Sequence, residues 1–146
     1  MDKHVSGSAV ISLNEFQGVD DKSRFSAAIE YCRTHPGCTL KVPSGDYILR
    51  STHATNVMNN VMSGAYGVNA QDVLFKADFI FDRGLDLSGL KNTVIEGNGA
   101  RLWADGYWEV ISMRDAENVT VRGFVIDHIR RPYSRGTVEK IENGWI

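Results

Sequence analysis

The sequence predicts an all-β fold, a right-handed parallel β-helix, with an α-helix capping one end of the solenoid. Three observations support this prediction. A segment recurs at a period of about 26 residues, an apolar helical stripe precedes it, and short strand-like segments end in proline, glycine or asparagine. Because the second copy of the repeat is followed by no closing element, we expect a C-terminally truncated domain.

The repeat aligns residues 87–97 with residues 113–123 at a constant offset of 26. Five pairs match in kind: Leu87 with Met113, Leu90 with Ala116, Asn92 with Asn118, Ile95 with Val121, and Gly97 with Gly123. Asparagine tolerates the left-handed conformation at a bend, and stacked asparagines can hydrogen-bond to each other. We therefore predict clear coils over about 85–128, with Asn92 stacked on Asn118.

An amphipathic helix is predicted over about 21–34. Asp20 and Asp21 suit its N-terminus, and Pro36 and Gly37 stop it. Its apolar stripe has the spacing of one helical face and consists of Phe25, Ala28, Ile29 and Cys32. This stripe is suited to cover the open N-terminal end of a coil stack.

Short strands are predicted at 9–12, 39–42, 47–50 and 75–81. Residues 51–72 fit no clean period and are interpreted as an irregular insertion, with at most a helical turn near 57–62. Cys32 and Cys38 leave two interpretations open, a small disulfide or two free thiols, of which the sequence favours the second.

The composition excludes several function classes. A formal net charge of −2 gives no sign of nucleic-acid binding, and no apolar run approaches the length of a membrane span. The N-terminus lacks the apolar core of a signal peptide, so the compartment stays unknown. No cofactor or metal is expected, since no metal-ligand spacing surrounds the cysteines.

Several segments resemble the pectate-lyase-like superfamily: the acidic pair in 18–21, the helix start at 25–29, the Pro-x-Gly-x-Tyr strand in 40–47, and the coil motifs 92–100 and 118–123. The tail, 126–138, is similar to β-helix glycoside hydrolases related to polygalacturonases and α-1,3-galactosidases. The approach to the acidic pair is shorter than the glycine-rich one usual in the family.

The resemblance implies the N-terminal part of a single β-helix domain, spanning 1–146, in a glycoside hydrolase that acts on a poly- or oligosaccharide. Its catalytic carboxylates would lie on later coils, so this chain alone is expected to be inactive. In some relatives a small β-barrel follows such a tail, so 132–146 could begin an inserted hairpin or barrel. The resemblance also suggests a secreted or periplasmic protein. The alternatives are a non-catalytic glycan-binding or tailspike-like adhesion module and a polysaccharide lyase.

Two groups of residues are candidates for a carbohydrate site. Asp127 and His128 follow a predicted strand and are the best-placed polar pair for catalysis, and Asp105 and Asp115 are further candidates. For all of them the alternative is structural, since aspartates at coil corners more often cap turns. Trp103, Tyr107 and Trp108 surround Asp105-Gly106 and could stack on sugar rings, although aromatic residues more often pack in the core. The open C-terminal edge is expected to favour self-association.

Overall fold

The computed structural model describes residues 8–133, 136–139 and 141. Within these residues the strands are β1 (Val10–Ser12), β2 (Thr39–Lys41), β3 (Asp46–Arg50), β4 (Asp82–Asp86), β5 (Lys91–Glu96), β6 (Arg101–Asp105), β7 (Trp108–Ser112), β8 (Glu117–Arg122) and β9 (Val125–His128). The helices are α1 (Asp21–Thr34), α2 (Thr52–Ser63) and α3 (Gln71–Leu74), with a short 3-10 helix at Leu13–Glu15. None of these helices is long and apolar enough to cross a bilayer.

The described strands form three small parallel sheets. The four-stranded sheet has the order β1-β2-β5-β8, the three-stranded sheet β3-β6-β9, and the two-stranded sheet β4-β7. One core runs between them and includes Leu40, Leu85, Ile95 and Leu102, all fully buried. Paired parallel strands need long crossover connections, and the connection from β3 to its partner β6 includes α2 and α3.

The prediction of an all-β right-handed parallel β-helix is wrong. The described strands are only three to six residues long, they belong to three separate small sheets, and three α-helices interrupt them. They form no closed barrel or solenoid. The 26-residue period is also not constant: strand partners are 26 residues apart between β5 and β8 but 24 apart between β6 and β9. Two copies of a repeat were too few to establish a uniform coil.

The stacking of Asn92 on Asn118 is nevertheless confirmed. β5 and β8 pair in parallel with Thr93 opposite Val119, and the Asn118 Nδ2 donates a hydrogen bond of 2.9 Å to the Asn92 Oδ1. Both asparagines adopt the left-handed conformation, with φ of 49° and 52°. Position 97 requires glycine, because a Cβ there would lie 2.6 Å from the Gly123 carbonyl oxygen.

The helix prediction at 21–34 is confirmed by α1. The Asp20 carboxylate accepts a hydrogen bond of 2.8 Å from the Ser23 backbone, and hydrogen bonds from the Ser23 side chain and backbone lower the pKa of Asp20. The apolar stripe is buried and packs against β2, β3 and β4. The cysteines are free and buried, and burial together with the neighbouring Cys38 thiol raises the pKa of Cys32.

The segment between β3 and β4 departs most from the sequence prediction. Residues 52–63 form α2, which includes the helical turn expected near 57–62, rather than an irregular insertion, and its Ala54, Val57 and Met58 are buried. The strand predicted at 75–81 is absent, since these described residues form turns and irregular backbone before β4 begins. Most of the hairpin or barrel predicted to begin at 132–146 lies outside the described residues.

Candidate functional site

The solvent face of the three-stranded sheet carries one row of alternating side chains from each strand. The inward residues of β3 and β6 are buried, so the residues between them point to solvent. We name this surface the outer face and define it by Asp46, Ile48, Arg50, Arg101, Trp103, Asp105, Val125 and Asp127. It brings together two residues that were predicted separately, because Trp103 of β6 lies opposite Asp127 of β9.

The Trp103 indole is fixed on this face. Its Nε1 donates a hydrogen bond of 2.8 Å to the Asp46 Oδ1, and its side chain is half-buried between the rows of Ile48 and Asp127. Its indole N–H thus has a protein partner, and what remains exposed of its side chain lies on the solvent side of the sheet. The ring therefore forms a flat, oriented platform.

The acidic side chains beside this platform already have partners. Asp105 forms an ion pair of 2.6 Å with the Arg50 Nε, and Asp127 lies 3.8 Å from the Arg131 Nε. The Asp127 carboxylate also accepts a hydrogen bond of 2.8 Å from the His128 backbone. His128 lies opposite the buried Ala104, so it belongs to the inward row. The structure therefore separates the predicted pair Asp127 and His128.

The predicted aromatic cluster also divides. Trp108 is 7% exposed, belongs to a second small core with Leu49, Ala54 and Ala104, and donates its Nε1 hydrogen bond to the Asp105 carbonyl at 2.9 Å. Tyr107 is half-buried and stacks on Phe81 with ring centroids 5.7 Å apart. Only Trp103 lies on the outer face.

Gly106 fixes the turn that separates these aromatic residues. Its φ is +106°, and a Cβ there would lie 2.6 Å from the carbonyl group of Ala54 in α2. The next residue, Tyr107, donates its backbone hydrogen bond to the same Ala54 carbonyl at 2.9 Å. Helix α2 therefore sets the orientation of Tyr107 and Trp108, which the sequence prediction of an irregular insertion did not anticipate.

A second concave surface lies on the Tyr107 side of this turn. We name it the aromatic groove; it has a volume of about 440 Å³ and is lined by Leu74, Phe75, Lys76, Ala77, Phe79, Phe81, Tyr107, Trp108, Glu109 and Arg114. Of these residues, only Tyr107 and Trp108 were predicted from the sequence as ligand contacts. The phenylalanine-rich run at 75–81 was a usable signal, but its alternation was interpreted as a strand.

Another groove, of about 470 Å³, lies between α1 and β4. Its arginines are occupied by protein groups: Arg33 donates hydrogen bonds to the carbonyls of Asp86 and Ser88, and Arg83 pairs with Asp86 and Glu109. We assign no ligand to this groove.

The remaining acidic candidates serve the fold. Asp115 adopts a left-handed conformation at a turn, with φ of 49°. Glu96 accepts a hydrogen bond of 3.2 Å from the Arg122 Nε, and this contact with Arg122 lowers the pKa of Glu96. Among the described residues no group of three or more histidine, cysteine or acidic side chains is placed to hold a metal ion.

Two curated proteins are similar to this chain. Alpha-1,3-galactosidase B of Bacteroides thetaiotaomicron is 28% identical over 129 residues, which cover 84% of this chain and 19% of that protein. Alpha-1,3-galactosidase A of Shewanella woodyi is 27% identical over 140 residues, which cover 96% of this chain and 21% of that protein. The chain thus spans about a fifth of the length of these relatives.

No protein-family model matches the chain. The resemblance to the pectate-lyase-like superfamily therefore stays a prediction. The two distant relatives suggest a connection to glycoside hydrolases, over the part of their length that this chain covers.

Proposed function

We propose that this chain is a carbohydrate-recognition part of a glycoside hydrolase-type protein and that its outer face binds a neutral galactoside. The observation that carries the proposal is the fixed Trp103 platform beside Asp127. The names of the two similar proteins support a galactoside as the ligand.

The chemistry of a sugar ring fits this surface. One side of a galactose ring carries C–H groups that pack against an aromatic face, and the ring edge carries hydroxyls that need hydrogen-bond acceptors. Trp103 supplies the aromatic face, while Asp127 on the neighbouring strand and Asp105, two residues along β6, supply carboxylate oxygens beside it. Asp46 is a positioning residue, because its hydrogen bond holds the indole in one orientation.

The carboxylates on this face favour binding over catalysis. Glycoside hydrolysis needs two carboxyl groups at a fixed separation, one as acid and the other as base or nucleophile. Asp105 and Asp127 each face an arginine, which gives both side chains a structural partner. We therefore expect this chain to bind without turnover, as a non-catalytic glycan-binding module would.

Isothermal titration of the chain with neutral galactosides tests this proposal. We expect binding that is lost in Trp103→Leu and in Asp46→Ala but retained in Asp46→Asn, whose amide oxygen can still accept the indole hydrogen bond. The matched control is Phe75→Leu, which removes an exposed aromatic ring from the aromatic groove and should leave galactoside binding unchanged. Equal binding by the parent chain and Trp103→Leu would contradict the proposal.

The absence of turnover needs a separate assay on aryl galactosides and galacturonans. We expect no product above the no-protein rate. Turnover by the parent chain that disappears in Asp127→Asn would show instead that the outer face is an active site.

A further inference from the structure

We infer that the aromatic groove is a second saccharide site, selective for a sugar that carries a carboxylate, such as a uronic acid. This inference does not depend on the proposed galactoside site, because the groove and the outer face share no residue. It rests on the shape of the groove, on its aromatic wall and on the charges at its rim.

The groove has the size and the wall of a sugar site. Its volume of about 440 Å³ lies within the range of small-molecule sites. Phe81 stacks on Tyr107 at 5.7 Å and contacts Phe79 at 4.9 Å, so these rings hold one another in place. Phe75 is 71% exposed and extends the wall toward solvent, which leaves a ring face free for a ligand.

The charges at the rim select the kind of sugar. Lys76 and Arg114 both line the groove, and within the part of the chain that the structure describes neither forms an ion pair. Glu109, which also lines it, lies 3.5 Å from Arg83, a cation that it shares with Asp86. The groove thus places two cations that form no ion pair among the described residues, against one partly compensated carboxylate, beside an apolar wall.

A carboxylate bound between these two cations would form charge-assisted hydrogen bonds, which are stronger than those of a neutral hydroxyl. The ring of the same sugar would lie against Phe75 and Tyr107. A neutral sugar would use the wall but leave both cations without a partner. A simple aromatic or aliphatic carboxylate would meet the cations without matching the volume.

Titration with galacturonic and glucuronic acids, with their methyl esters and with benzoate tests the inference. We expect at least one uronic acid to bind about tenfold more tightly than its neutral ester and than benzoate. Amide chemical shifts of Lys76, Phe81 and Tyr107 should change on binding, while those of Trp103 stay constant. Equal affinity for acid and ester, or no binding of either acid, would overturn the inference.

Matched variants separate this site from the outer face. Lys76→Gln, Arg114→Gln and Phe75→Leu should each weaken uronate binding about tenfold, while Trp103→Leu should leave it unchanged. Lys91→Gln is the charge control, because Lys91 is paired with Glu117 outside the groove. An equal loss in Lys91→Gln would show that the uronate responds only to net charge, and the inference would fail. If the parent chain binds a uronic acid but no neutral galactoside, the proposed function is contradicted and this inference stands.

Discussion

The three parallel sheets bury equivalent positions to different extents at their two ends. At the end covered by α1, the stripe of Phe25, Ile29 and Cys32 closes the core against β2, β3 and β4. At the other end, β8 and β9 have no strand or helix beyond them among the described residues. Ile126 is 46% exposed, whereas its strand partner Leu102 is fully buried. The same inward position is thus core in one layer and surface in the next, which shows that burial depends on having neighbours on both sides.

The largest loss of stability is expected when a charge is placed in the buried face of helix α1. Ile29→Asp would bury an unpaired carboxylate at a position that is 2% exposed, and we expect it to cost about 3–5 kcal/mol of unfolding free energy. Ile126→Asp at the open end should cost less than about 1 kcal/mol, because its carboxylate can reach water. Chemical denaturation of both variants measures the difference. Similar midpoints for the two variants would show that α1 does not seal the core.

A pair of truncations tests the difference in burial between Leu102 and Ile126 without adding charge. Leu102→Ala removes a fully buried side chain and should cost about 2–5 kcal/mol. Ile126→Ala, at the paired position of the open layer, should cost less than half as much because part of its side chain is already in water. Thermal and urea unfolding provide the two free energies, and equal costs would contradict the contrast between the layers.

The open end should also associate with a second copy of the chain. β8 and β9 expose backbone groups on one side, and Val125, Ile126 and Ile129 are each about half-exposed. Val125→Lys should weaken self-association about tenfold, or about 1.4 kcal/mol, by placing a charge on the edge. Sedimentation velocity over a range of concentrations measures this. Val10→Lys, at the exposed position of β1, is the control at the other end of the four-stranded sheet.

A smaller loss of stability, which depends on pH, is expected when the Asp20 cap at the N-terminus of α1 is removed. Hydrogen bonds from Ser23 lower the folded-state pKa of Asp20 below its ordinary value of 3.8. Its contribution is therefore present above that value and is lost as the pH falls through the folded pKa. Asp20→Ala should cost about 1 kcal/mol at pH 7, and the cost should shrink in acid. Urea unfolding at neutral and acidic pH checks both statements, and a constant cost would contradict the second.

The sequence was sufficient to predict structure where a short segment contains the whole pattern. Helix α1 follows from the spacing of Phe25, Ile29 and Cys32, and the stacking of Asn118 on Asn92 follows from residues of one type at matched turns. Both patterns depend on backbone preferences that a short segment already contains.

The sequence was insufficient where tertiary contacts decide the structure. Helix α2 carries an apolar stripe at Ala54, Val57, Met58 and Val61, which the interpretation as an irregular insertion overlooked. Its packing against the turn at Gly106 through Ala54 joins residues far apart in the chain, and the sequence does not show that contact. Likewise, the proximity of Trp103 to Asp127 depends on a register of 24 residues, two fewer than the repeat predicts. These two errors account for the incorrect solenoid and for the predicted aromatic cluster that the structure divides.

The smallest effect on stability is expected from two buried hydroxyls in different sheets, one in β5 and one in β7. Thr93 of β5 is fully buried, and its Oγ1 donates a hydrogen bond of 2.9 Å to the Lys91 carbonyl. Ser112 of β7 is 1% exposed, and its Oγ has no partner among the described residues. Removing a satisfied hydroxyl loses its hydrogen bond, so Thr93→Val should cost about 1 kcal/mol. Removing an unsatisfied one relieves a desolvation cost and leaves a void smaller than a methyl group, so Ser112→Ala should change stability by less than about 0.5 kcal/mol or raise it. Urea unfolding of both variants decides the matter, and a loss of more than about 1 kcal/mol in Ser112→Ala would show that this hydroxyl has a hydrogen-bond partner in solution, such as a buried water.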